Sequence, residues 1–230
     1  MFVIFCQLFR LVQSIRRWGT VALSGLCLTG LYACATAVHQ QVPLSVKEAV
    51  EQGDMAALQR YLALGGNANA RVEEGLPLLA YAAGLGSLPG SRAILQAGAS
   101  PDLAGQDGTT ALMMAAVRGH DRIVQMLLDR GADPDVSNIQ GFTAFILAAA
   151  EGHWRVLEIF VQHGVDPDQA TPGGITALMA AVIREQPATV ETLLRLGADP
   201  RRTTLNGVSA IDLAQRRRNA RLVRLLEMRR

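Results

Sequence analysis

"GTTALMMAAVRGHDRIVQMLLDRGADPD" occupies residues 108–135, and "GFTAFILAAAEGHWRVLEIFVQHGVDPD" follows 33 positions later, at residues 141–168. Gly75, Gly108, Gly141, Gly174 and Gly207 keep that step of 33, and so do Gly65, Gly98, Gly131, Gly164 and Gly197. Composition alone does not put two glycine ladders in lockstep. A constant period between about 20 and 50 residues marks a repeat architecture.

One unit can be read in full. "TALMMAAVRG", Thr110 to Gly119, opens with a residue able to cap a helix and closes with one able to end it. "HDRIVQMLLDRG", His120 to Gly131, does the same, with Ile123, Val124, Leu127 and Leu128 on one helical face. "ADPDVSNIQ", Ala132 to Gln140, is turn-forming. Each unit is therefore helix, tight turn, helix, loop. Half the residues are hydrophobic but only 5% are aromatic, and much of the remainder is alanine and leucine, which favours helices over strands.

Helices this short are marginal alone in water. Their apolar faces recur with the period, so the next copy is available to cover them. Ala82-Ala83, Ala115-Ala116 and Ala148-Ala149 fall where first helices would meet and would let them approach closely. Stacking of neighbours is expected to stabilise the array.

The pattern resembles the ankyrin repeat, whose signature is G-x-T-P-L-H-x-A-A-x-x-G-H followed by a leucine-rich helix and G-A-D. "GTTALMMAAVRGH", "GFTAFILAAAEGH", "GITALMAAV", "LLDRGADPD" and "LLRLGADP" carry the resemblance, which extends from residue 43 to about 230. It implies an all-α solenoid of about six helix-turn-helix repeats with hairpin-like loops between them. The repeats fall at about 43–72, 73–105, 106–138, 139–171, 172–204 and 205–230, the first and last being caps. Three departures carry expectations. Met113, Ile146 and Met179 stand at the family's histidine, so apolar packing should replace its hydrogen bonds. Glu185 replaces the inter-helix glycine, so that turn should differ from its neighbours. Pro89 and Gly90 should make their helix start late or fray. Ser45 and Glu48 have capping-box spacing at the first helix, and the arginines at 216–218, 221, 224, 229 and 230 suit a soluble end.

Residues 1–37 look like an address. Arg10, Arg16 and Arg17 precede "GTVALSGLCLTGLYACATAV", twenty residues without a charge, at 19–38. "LYAC", ending at Cys34, is similar to a bacterial lipobox, whose cysteine is lipidated. "ATA" at 35–37 offers ordinary signal-peptidase cleavage, and the apolar run could also span a bilayer uncut. The expectation is a bacterial envelope protein facing the periplasm, with lipidation at Cys34 ahead of the soluble and uncleaved forms. Residues 38–42 form a linker.

The three cysteines, Cys6, Cys27 and Cys34, leave the repeats without a disulfide framework or thiolate metal site. His120 and His153 share one repeat position and lack further ligands, so no metal is expected. Asp133-Pro134-Asp135 and Asp166-Pro167-Asp168 read as turns rather than calcium loops. No nucleophile elbow, phosphate loop or zinc-protease motif occurs. Residues 34–206 carry 18 acids against 12 basic residues, and residues 207–230 carry seven arginines against two acids. That distribution does not line a face as in a nucleic-acid binder. We expect no enzyme, no cofactor, no small-molecule substrate and no nucleic acid.

The resemblance implies protein binding through loop tips and first-helix edges. By repeat position that surface comprises Gln106, Asp107, Thr109, Val117 and Arg118, then Ile139, Gln140, Phe142 and Glu151, then Ile175, Ile183 and Arg184. Apolar residues ringed by charge suit an interface, with Phe142 as its anchor. The expected role is a scaffold or an inhibitor of immunity type, with another protein as partner and the membrane reached through the N-terminus. The alternative is an accessory factor for an envelope enzyme, for example in oxidative-stress defence.

Overall fold

The computed structural model describes residues 44–72 and 75–228, so the leader, Cys34 and the linker lie outside the described residues. Residues Gln40–Arg230 form a compact unit with one continuous core running from Val46 to Leu226. Among the described residues there are twelve helices in six pairs. They are α1 (Leu44–Gln52) with α2 (Met55–Ala63), α3 (Leu78–Gly84) with α4 (Leu88–Gln96), and α5 (Ala111–Val117) with α6 (Asp121–Asp129). Next come α7 (Ala144–Glu151) with α8 (Trp154–Gln162), α9 (Ala177–Ile183) with α10 (Pro187–Arg195), and α11 (Ala210–Arg216) with α12 (Ala220–Glu227).

First helices stack on first helices, α3 to α5 to α7 to α9 to α11, and second helices on second helices. The first row is the tighter, and sequence explains it. Ala82, Ala83, Ala115, Ala116, Ala148 and Ala149 are all fully buried, so backbones meet with little between them. In the second row Ile123, Val124, Leu127 and Leu128 are buried on the face that their spacing defines. Phe145 and Phe160 meet edge to face across one pair, with ring centroids 5.8 Å apart. Met113, Ile146 and Met179 are buried apolar side chains where the signature has histidine. No helix among the described residues is long and apolar enough to cross a membrane.

Local chemistry sets the helix starts. Thr110 and Thr176 accept the N–H groups of Met113 and Met179, each at 3.3 Å, and Ser209 forms a full capping box with Asp212. Thr143 instead donates its hydroxyl to Gln169 at 2.7 Å. Loops close as short hairpins, with single antiparallel bridges between Ser137 and Thr143, Ala170 and Thr176, and Thr203 and Ser209.

Three expectations are corrected. Helix α1 begins at Leu44, so Ser45 lies inside its first turn rather than ahead of it; the Ser45 side chain lies outside the described residues. Helix α4 starts in register with the other second helices despite Pro89 and Gly90. Proline is tolerated there because a first-turn N–H has no partner within the helix, and Ser87 caps the turn through the Gly90 N–H at 3.3 Å. The turn at Glu185 keeps the shape of its neighbours. Glu185 adopts φ 55°, in the left-handed region where Gly119 and Gly152 sit in the preceding repeats.

The last repeat changes at positions that inner repeats bury or half-bury. Met113, Ile146 and Met179 become Asp212; Ala116, Ala149 and Val182 become Gln215; Leu128, Val161 and Leu194 become Glu227. Polar residues suit a face that no further repeat covers in the structure.

Candidate functional site

The loop tips form one edge of the array. Gln106, Ile139, Pro172 and Leu205 occupy the same place in successive repeats, and all four are exposed. Ile139 is 72% exposed and Leu205 81%, high values for side chains of that size. The tips are tied together by main chain. The Ile139 N–H donates to the Asp107 carbonyl at 3.0 Å and the Leu205 N–H to the Gly173 carbonyl at 3.1 Å. Pro172 has no N–H with which to repeat that bond. Its ring instead lies over Gly141, where an added Cβ would come 2.5 Å from Pro172 Cδ.

Side chains shape each tip from within. Asn138 Oδ1 accepts the N–H groups of Gln140 and Phe142, at 3.1 and 3.0 Å. Asp107 accepts both the N–H of Thr109, at 3.0 Å, and its hydroxyl, at 2.6 Å. Those hydrogen bonds, the hydroxyl's first, hold the Asp107 carboxyl below the usual carboxylate range. Behind the tips, Phe142 and Ile175 are half-buried against the core, as are Tyr81, Met114, Leu147 and Leu213 on the first helices. A depression of about 380 Å³ between two repeats is lined by Leu76, Gly105, Gln106, Asp107, Thr109 and Met114.

The expected site residues lie at the tips, just behind them, and at the C-terminal ends of the first helices. Gln106, Asp107, Gln140 and Ile139 are exposed at the tips, and Val117 and Ile183 are half-buried near the ends of α5 and α9. Glu151 and Arg184 face each other across adjacent repeats, Arg184 Nη2 donating to Glu151 Oε1 at 3.0 Å. Arg118, at the matching position one repeat earlier, is exposed. Sequence reasoning missed Pro172, Leu205, Met114 and Leu147. The signal was present: each stands a whole number of periods from Ile139 or from Tyr81.

At the opposite edge the turns are locked across repeats. His120 Nε2 donates to the Gly84 carbonyl at 3.2 Å, and His153 Nε2 to the Val117 carbonyl at 2.8 Å. On the second-helix face Asp129 Oδ1 lies 3.2 Å from His163 Nε2 and accepts from Gln125 Nε2 at 2.9 Å. The Asp-Pro loops spend carboxylate oxygens on backbone. Asp102 Oδ1 accepts the N–H of Asp133 and Asp168 Oδ1 that of Asp199, at 2.9 and 2.8 Å. Among the described residues no group of three or more His, Cys, Asp or Glu side chains is placed to hold a metal ion.

A family model for ankyrin repeats, in three copies, matches residues 46–138 and 133–204. The chain belongs to the ankyrin repeat family. A search of curated proteins returned no significant match. Ankyrin repeats are protein–protein interaction modules, typically without catalytic activity, and this array is one of them.

Proposed function

We propose that this protein is a non-enzymatic binder held at the bacterial cell envelope and facing the periplasm. It acts there as a scaffold or as an inhibitor of immunity type, engaging its partner through the tips and first helices. The observation that carries the reading is the exposed apolar row of Ile139, Pro172 and Leu205. Half-buried Phe142 and Ile175 follow Ile139 and Pro172 in sequence, and exposed Gln106, Asp107 and Gln140 give the row polar neighbours. An apolar centre with a polar border is the usual anatomy of a protein interface. Envelope attachment rests on the order of Arg16, Arg17, the apolar run and Cys34.

Crosslinking in cells followed by mass spectrometry identifies the partner. Ile139→Asp with Leu205→Asp should abolish its capture while leaving the fold unchanged, because both side chains are exposed. An unchanged captured set would overturn the assignment of this face. Replacing Cys34 by alanine should move the protein out of the membrane fraction. Retention there at the original mature size would overturn lipidation at that residue.

A further inference from the structure

The last repeat carries its charge unlike the rest of the array. Arg216, Arg217, Arg218, Arg221 and Arg224 fall within nine positions, and all are exposed. One of the two acids of this repeat, Asp212, is turned back into the capping box, its Oδ2 accepting the N–H and hydroxyl of Ser209 at 2.8 and 2.6 Å.

A soluble end face does not require this placement, and stability argues against it. Arg221 and Arg224 stand three residues apart along α12, where like charges repel, and Arg217 caps the end of α11 just before it. Arg218 and Arg221 stand at the N-terminal end of α12, the positive end of its dipole. Arg218 also adopts φ 55°, at the position where earlier repeats have Gly86, Gly119 and Gly152. Glu185 accepts the same backbone strain, but its carboxylate lies 3.6 Å from Arg217. Among the described residues no acid pairs with Arg218 or Arg221. Met228, 82% exposed, adds an apolar group just after α12.

We propose that this end of the array is a docking site for an anionic membrane surface, its arginines meeting lipid phosphates. The site is separate from the tip-and-first-helix face and does not depend on it. The charge around it selects a flat surface over a long polyanion. A nucleic acid extending past the end would run alongside a body carrying Asp133, Asp135, Asp166, Asp168 and Asp199. A bilayer touched by the end alone is shielded from most of them. Stacked helices lie about 8–10 Å apart, so carboxylates two repeats away are beyond a Debye length of about 8–10 Å.

Residues 40–230 contain the whole described core and serve for the test. The probes are vesicles of phosphatidylcholine with and without phosphatidylglycerol, read by flotation. Binding is expected to the anionic vesicles alone, and to disappear at about 1 M salt, where the Debye length is about 3 Å. Arg218→Gly with Arg221→Gln and Arg224→Gln should weaken it about a hundredfold, at about one kcal/mol for each arginine removed. Circular dichroism checks the fold. The pair Arg221→Gln with Arg224→Gln, which leaves the turn alone, should still weaken binding more than tenfold. Removing three exposed arginines from the body, Arg122, Arg130 and Arg155, by glutamine should change little. Equal binding to neutral vesicles, no binding to either kind, an equal loss from the body variant, or a preference for duplex DNA over phosphate-matched vesicles would each overturn the proposal.

Discussion

The imidazole of His153 crosses from one repeat to the one before it and donates to the main-chain carbonyl of Val117 at 2.8 Å, passing directly over Gly119. A Cβ added at Gly119 would lie 2.5 Å from His153 Nδ1, and the residue has φ 68°. The glycine and the histidine are therefore one device, split between two repeats.

Gly119→Ala should cost about 2 kcal/mol, from the left-handed backbone and the displaced ring together. His153→Ala should cost about 1 kcal/mol by removing the hydrogen bond. In the His153→Ala background the glycine substitution should cost less, because only the backbone strain remains. Urea denaturation of the four proteins measures the coupling. Strict additivity would mean that ring and glycine act independently.

Glu185→Gly should stabilise the protein by about 1 kcal/mol. The substitution relieves φ 55° and gives up only an exposed pair with Arg217, worth less than the strain. A lower urea midpoint in the variant would contradict this account.

Leu127 and Leu226 are both fully buried, one in the middle of the array and one in its last helix. Each truncation to alanine should cost about 2–5 kcal/mol at its own repeat. The consequences should differ, because repeats contact only their neighbours. Hydrogen exchange should show Leu226→Ala exposing amides of α11 and α12 while α5 to α8 stay protected. Leu127→Ala should loosen both sides of α6.

His163 and Asp129 tie two second helices together and give the array a pH dependence. The hydrogen bond from His163 Nδ1 to the Ile159 carbonyl raises the His163 pKa first, and Asp129 adds to it. Asp129 is held low, first by its bond to His163 and then by Gln125. A raised histidine stabilises fully below its unfolded value of about 6.5, and the contribution fades as pH rises through the folded value. A lowered carboxyl stabilises above its unfolded value, and that contribution is lost as pH falls through its folded one. Titration by NMR should place His163 above 6.5. Asp129→Asn should lower its midpoint without removing the Ile159 contribution. The loss of stability above pH 6.5 should shrink in His163→Gln.

Much of the fold was legible because its information is local and repeated. The 33-residue step, Thr110 before α5 and the stripe of Ile123, Val124, Leu127 and Leu128 each declare an element without reference to the rest of the chain. Repetition then gives every signal several readings. The binding face was legible only by position. Ile139 could be named from its place in the unit, and Pro172 and Leu205 escaped although the same period marks them, because that place was not carried through the following repeats.

The misjudged places are those where a residue's fit depends on what surrounds it. Pro89 and Glu185 both look like disruptions in a string of letters. The first is harmless because its missing N–H falls in the first turn, and the second keeps its turn because the Glu185 and Gln186 N–H groups close it onto the Val182 and Ala181 carbonyls. Sequence alone determined that there are helix pairs and how many, since these follow from spacing and turn chemistry, while the starts of α1 and α4 were settled by the fold. Tertiary structure decided which polar groups are used internally. Arg184 is committed to Glu151 and His153 to Val117, because hydrogen bonds between residues 33 or 36 apart exist only once the copies are stacked.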